Sequence, residues 1–408
     1  MRVGIQGRDY VVSRNIADLV KGVDYVRVHD ISEVIRKAYR AAAVVTDLFN
    51  DRRQDLRASF LDFDVNRVDV LHFFNVVSFG KTPWVSTFET VLPRYRTTLT
   101  CHHGRHPGYA PLEADPKVRR ALDAMSRPAC RNIIAISDCS ARMQREMLRL
   151  YPEYREAIEN KMVVLHPPQA AFFGDYHSKR LPQDGPIRFM FVGGSFFRKG
   201  GAEMLLAFQQ LRKAGLDVAL TIVSSLAIDD YAAKETGADV ANAGKMIDDN
   251  REWISHHHSL PNDRVLDLMK ASHVGLLPTY ADTYGYSVLE FQACGCPVIT
   301  TDVRALPEIN DEKTGWVIKI PKNEMGEAIY TSDKDRSEIA NAITSGIAAI
   351  VRNIVQNRSD IQIKADVALD RIRAEHSPER HAEQLRAIYR GAVVDKRRLA
   401  GERVEASV

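Results

Sequence analysis

Cysteine is scarce in this chain: five in 408 residues, an odd number with no repeating spacing. That excludes the disulfide framework of a small secreted scaffold and fits a reducing compartment. Long apolar runs are also missing. No stretch approaches the roughly 18 apolar residues of a membrane span, and the opening Met1-Arg2-Val3-Gly4-Ile5-Gln6-Gly7-Arg8-Asp9 has no signal-peptide core. The expectation is a cytoplasmic protein, at most peripheral at the inner membrane surface. Charge of one sign is lacking as well, with 56 basic against 53 acidic side chains and a net charge of +3. That balance gives no reason to expect a nucleic acid partner. No internal repeat or low-complexity tract is evident.

What is present is globular: 45% hydrophobic and 27% charged residues in a chain long enough for two cores. β-rich runs at 25–29, 43–47, 68–74, 97–101, 132–137 and 162–166 alternate with helix-like segments, the rhythm of a parallel sheet with crossover helices. Pro167, Pro168, Pro182 and Pro186 mark an extended connector, after which runs at 187–192, 218–223, 274–278 and 297–301 begin a second α/β series. Ser377-Pro378-Glu379 opens a helix with apolar positions at Ala382, Leu385, Ile388 and Tyr389, and the polar tail 395–408 is expected to fray. The division is therefore residues 1–170, completed by 375–408, and residues 171–374.

The informative stretch is Leu277 to Ile309, LPTYADTYGYSVLEFQACGCPVITTDVRALPEI. A strand ends near Pro278, a polar loop carries Asp282 and Gly285, and a helix begins near Tyr286 and stops at Gly295. In a parallel sheet such a loop lies at the carboxyl edge, where open α/β folds bind ligands. The backbone N–H groups of Gly285, Tyr286 and Ser287 at the helix start form an anion site suited to a diphosphate, and Gly285 admits close approach. Glu290, about a turn into the helix, can accept from two neighbouring ribose hydroxyls; Asp282 can face a sugar beyond the phosphates. Upstream, Phe191-Val192-Gly193-Gly194-Ser195-Phe196-Phe197-Arg198-Lys199-Gly200 is a strand, a glycine turn and a cationic pair before an amphipathic helix. Lys199 there faces the diphosphate. The third glycine of a dinucleotide fingerprint is missing.

These residues resemble the group 1 glycosyltransferases, family 4 of the retaining enzymes. The signature is an acid, seven residues, then Glu, then Ala-x-Gly-x-Pro-Val-Ile; here it runs from Asp282 to Glu290 and through Ala293-Cys294-Gly295-Cys296-Pro297-Val298-Ile299. Two departures stand out: Asp282 where the family usually has Glu, and Gly194 where an Arg commonly follows the first glycine, a role Arg198 would take. The resemblance is strong over about residues 187–320 and thin over 1–130. It implies the GT-B fold, two facing Rossmann-like domains with an interdomain cleft, and a C-terminal helix crossing back to the N-terminal, acceptor-binding domain. It implies transfer of a sugar from a nucleotide diphosphate donor to a hydroxyl of a saccharide, lipid-linked or small-molecule acceptor, with retention, in polysaccharide or glycoconjugate biosynthesis. His258, before Ser259-Leu260-Pro261, would present backbone to the base, and His102 or His103 would approach the donor sugar. The departing phosphate would itself take the acceptor proton. With Lys199, Arg198 and the helix start supplying positive charge, no metal cofactor is required.

Plainer readings compete. His102 and His106 have metalloprotease spacing, but Gly104 and Pro107 oppose a helix and His103 stands where that motif needs a glutamate. His256-His257-His258 suits loop surface, and Cys294 and Cys296 suit packing. Arg142, Arg145 and Arg149 share a helical face, ordinarily solvated, that in this family could meet anionic lipid or a phosphorylated acceptor. Two other functions remain open: a sugar-nucleotide epimerase or phosphorylase of the same fold, and a non-catalytic sugar-nucleotide-binding descendant.

Overall fold

The computed structural model describes residues 1–33, 35, 55–100, 115–179, 184–228, 232 and 234–399. These divide into two compact units: one runs to Pro168 and resumes at Ser377, and the other is Gln169–His376.

The first unit contains β1 (Arg2–Ile5), β2 (Asp24–Arg27), β3 (Ser59–Phe60), β4 (Val70–Phe74), β5 (Val77–Ser78), β6 (Trp84–Phe88), β7 (Cys130–Ala135) and β8 (Met162–Val164). Six of these form one parallel sheet in the order β2-β1-β4-β6-β7-β8, while β3 and β5 pair separately. Strands β4 and β6 are buried almost throughout, as a parallel sheet covered on both faces requires. The C-terminal helix Pro378–Leu399 packs here, placing Leu385, Tyr389 and Ala392 in the core beside Val3, Ile5, Val70 and Ile134. Ser377 caps it, its Oγ accepting from Arg380 N at 3.3 Å, and the helix continues into the segment expected to fray.

One expected strand is corrected. The run from Thr97 is helical, Arg96–Thr100. The Thr98 hydroxyl lies 2.7 Å from the carbonyl of Pro93 and 2.8 Å from that of Tyr95, so a local bond satisfies a β-branched residue that pattern alone assigns to a strand. The expected strand at 43–47 lies outside the described residues.

The second unit contains β9 (Ile187–Val192), β10 (Val218–Val223), β11 (Ile254–His257), β12 (Val274–Leu277), β13 (Val298–Thr301) and β14 (Gly315–Ile318), all parallel, in the order β11-β10-β9-β12-β13-β14. Numbered from its own first strand this is 3-2-1-4-5-6, the doubly wound order, and its direction reverses between β9 and β12. The connector before β9 is fastened to this unit: Phe172 N donates to Ala293 O at 2.9 Å, and the buried Lys179 ammonium reaches Ser272 O at 2.7 Å and Gly295 O at 3.1 Å. No helix among the described residues is long and apolar enough to cross a membrane.

Candidate active site

Ligands of a doubly wound sheet bind beyond the carboxyl ends of the strands at the reversal, here β9 and β12. The two sequence motifs follow those two strands. After β9 the chain turns through Gly193 and Gly194 to Lys199 and enters the helix Gly201–Lys213 at Gly200. Gly200 has φ +77°, and a Cβ there would stand 2.0 Å from the carbonyl oxygen of Pro278, just past β12. Only glycine allows the two loops this approach. They are then stapled: Tyr280 N donates to Arg198 O at 2.9 Å, Thr279 Oγ1 lies 3.1 Å from the same oxygen, and the Arg198 guanidinium donates to Ala281 O. Arg198 thus braces the loop through this bond, and its charge also acts on Asp282.

Across the staple, Lys199 Nζ and Asp282 Oδ2 lie 3.4 Å apart, with side chains 18% and 14% exposed. Asp282 Oδ1 accepts from Gly285 N at 3.0 Å and Tyr284 N at 3.3 Å. Burial acts to raise the Asp282 pKa, but Lys199, Arg198 and these bonds outweigh it and hold the carboxyl below its ordinary value. Asp282 is thus an ionised acid that both faces the lysine and shapes the start of the next helix. The Gly285 N–H, expected to meet a diphosphate, is engaged by Asp282 instead.

That helix is Tyr286–Ala293, entered through Gly285 at φ +94°, where a Cβ would meet Leu306 Cδ2 at 2.6 Å. It is buried on nearly all sides. Ser287 Oγ, in its first turn, is buried with no hydrogen-bond partner among the described residues. Glu290 follows on the same helix, 8% exposed. On the other wall, a Cβ on Gly193 would overlap Lys199 Cδ at 2.4 Å, so the lysine lies against that glycine, whereas one on Gly194 would meet open space.

The fold therefore brings Lys199, Asp282, Gly193, Gly285, Tyr286 and Ser287 to one strand edge. His258 is exposed just past β11. His102 and His103 lie outside the described residues. Arg142, Arg145 and Arg149 are exposed in the first unit, and Arg149 pairs with Glu146 at 2.9 Å. Asp62-Phe63-Asp64 has the Asp-x-Asp spacing of some metal sites, but its carboxylates shape a loop: Asp62 accepts from Asp64 N and Asn66, and Asp64 from Lys81 N and Thr82 N.

Sequence reasoning missed one pair. Tyr280 Oη donates to Glu203 Oε1 at 2.7 Å, and both residues are buried. Half of the signal was available: Glu203 stands four and eight positions before Ala207 and Leu211 on the buried face of its helix, where an acid needs a partner, but nothing in the sequence names Tyr280 as that partner.

Residues 186–335 match the family model described as glycosyl transferases group 1. The chain is similar to the glycogen synthase of Mycobacterium tuberculosis, 24% identical over 324 residues that cover 78% of this chain and 68% of that protein. It is also similar to the D-inositol 3-phosphate glycosyltransferase of an Arthrobacter species, 27% identical over 166 residues covering 39% and 38%. Among solved structures it resembles the sucrose-phosphate synthase of Thermosynechococcus elongatus, with a TM-score of 0.53 at 15% identity over 91% of this chain and 81% of that one. Anabaena HepE, solved with UDP and glucose, gives 0.53 at 11% identity over 95% and 90%. These likenesses show the fold to be GT-B, with two Rossmann-like units.

Proposed function

We propose that this chain acts as a group 1 glycosyltransferase, the family whose model its residues 186–335 match, and moves a sugar from a nucleotide diphosphate donor to a hydroxyl acceptor with retention of anomeric configuration, in polysaccharide or glycoconjugate assembly in the cytoplasm. The observation that carries the reading is the Lys199–Asp282 pair at the reversal of the second sheet, 3.4 Å apart. In this reading the donor diphosphate lies between Lys199 and the start of the helix Tyr286–Ala293, and the Ser287 hydroxyl, without a partner among the described residues, supplies one of its contacts. Glu290 holds the ribose and Asp282 the sugar. Positive charge at the leaving diphosphate lowers the barrier, each preorganised donor contributing about 2.7–4 kcal/mol in comparable oxyanion sites. Lys199 and the helix start carry that load without a divalent metal, and the departing phosphate oxygen takes the acceptor proton.

The test is a panel of uridine, guanosine and adenosine diphosphate sugars, first by thermal shift and then by transfer with the product anomer read by NMR. A ligand at 100 times its Kd raises stability by about 2.7 kcal/mol, a visible shift. An inverted product, or interconversion of the donor sugar without transfer, rejects the proposal.

A further inference from the structure

Glu203 is the third residue of the helix that follows the lysine loop, and it is 7% exposed. Its Oε1 accepts from Tyr280, while Oε2 is buried with no partner among the described residues. A carboxyl half satisfied in this way is a poor stabiliser; a leucine of similar size would bury more apolar surface at no polar cost. Its worth lies in what it holds. Tyr280 donates its N–H to Arg198 O, the next residue offers its carbonyl to the Arg198 side chain, and the one after is Asp282. On the facing strand end, Arg198 is followed by Lys199, Gly200 and the helix bearing Glu203. The Glu203–Tyr280 hydrogen bond, the backbone staple at Arg198 and the Lys199–Asp282 pair thus tie the same two loops to one another. A slip of either loop would break all three.

We propose that Glu203 is a positioning residue for transfer: through Tyr280 it fixes the register of the two loops and so sets Asp282 opposite Lys199. This rests on the reading of that pair as the donor site. Burial pushes the Glu203 carboxyl up to about 7, with Glu235 adding to the rise and the Tyr280 bond opposing it. Arg336, from the helix Asp333–Gln356, acts on the Tyr280 hydroxyl in the opposite sense to Glu203 and Glu235. The carboxyl is therefore neutral below that pH and a buried anion above it, which favours order of the loops on the acid side.

The experiment compares variants of the full chain in donor transfer, with titration calorimetry of the bare nucleoside diphosphate alongside. Glu203→Gln keeps an oxygen for Tyr280 and removes the charge; its kcat should stay within about twofold of the parent near pH 6.5, and its pH profile should lack the inflection near 7 expected of the parent. Glu203→Leu and Tyr280→Phe should each lower kcat about tenfold or more while changing nucleoside diphosphate affinity less than about twofold, and the double variant should be no slower than either. Should Glu203→Leu not fold, Tyr280→Phe carries the same comparison. A folded Glu203→Leu or Tyr280→Phe with parent kcat overturns the proposal, as does a Glu203→Gln no faster than Glu203→Leu. Lys199→Ala separates the two layers: parent activity in that variant removes the donor-site reading itself, whatever the Glu203 variants do.

Discussion

The hydroxyl of Tyr389 lies 2.6 Å from Nδ1 of His72, joining residues 317 positions apart in sequence. His72 Nε2 meets Thr87 Oγ1 at 2.8 Å, so both ring nitrogens are satisfied in a core that leaves His72 only 1% exposed. The C-terminal helix is thereby keyed to β4 and β6 of the first unit by directional contacts as well as by packing.

Burial lowers the His72 pKa from 6.5 to about 3, and His381 adds to that. Between these values the unfolded chain binds a proton at this position and the folded chain does not, so stability is complete above about 6.5 and falls as pH drops toward about 3. Urea unfolding should show that slope, and His72→Gln should flatten it relative to the parent. Tyr389→Phe, which leaves Nδ1 without this hydroxyl, should cost about 1–3 kcal/mol at neutral pH while keeping most of the slope. Equal slopes in the parent and His72→Gln would show that other groups carry the acid sensitivity.

Gly193→Ala should separate folding from function. The added Cβ would overlap only the Lys199 side chain, whose far end can swing away. Thermal stability should change by less than about 1 kcal/mol, while transfer falls by about tenfold or more because the lysine leaves its place. Gly200→Ala meets the Pro278 carbonyl at 2.0 Å with φ at +77°, so it should destabilise the second unit and lower transfer with it. Parent-like activity in Gly193→Ala would show that Lys199 does not need this position.

At Gly194 the opposite holds, since a side chain there enters open space. Gly194→Arg supplies the cation that the resemblance leads one to expect at this turn, while the Arg198 guanidinium donates to the Ala281 carbonyl. The variant should bind nucleoside diphosphates about threefold to tenfold more tightly with unchanged stability, by calorimetry. Weaker binding would mean that the open space belongs to the donor.

The second unit was legible because its strands are short apolar runs bounded by polar, glycine or proline residues: 187–192 and 218–223 match β9 and β10 residue for residue. The doubly wound order then puts the two motifs side by side, which the motifs alone could only imply. β11, Ile254–His257, was hidden by Ser255, His256 and His257, polar residues paired through their backbone to β10. β1 was passed over because Gly4 interrupts its pattern, yet a Cβ there would press to 2.5 Å on Val28, so the glycine serves packing. Glu203 and Tyr280 were illegible as a pair, because 77 positions separate them and only the approach at Gly200 brings their segments together.

Asp282 offers the sharpest test of the site, because its two oxygens have different tasks. Oδ1 accepts from Gly285 N and Tyr284 N and shapes the entry to the helix, a role the amide oxygen of Asn can keep. Oδ2 faces Lys199 at 3.4 Å, and there an amide N–H₂ would replace attraction with two donors opposed. Asp282→Asn should therefore leave folding close to the parent and free Lys199 for a phosphate. Affinity for the bare nucleoside diphosphate should be equal or higher, while transfer drops by about a hundredfold or more through loss of the contact with the sugar. Asp282→Glu keeps the charge one methylene farther out, so its effect should be a changed ranking among donor sugars rather than a uniform loss. Calorimetry with the diphosphate and steady-state transfer with several donors read these outcomes separately. If Asp282→Asn loses diphosphate binding together with transfer, the carboxylate serves to hold Lys199 in place; if it transfers every donor at the parent rate, Asp282 has no part in holding the sugar.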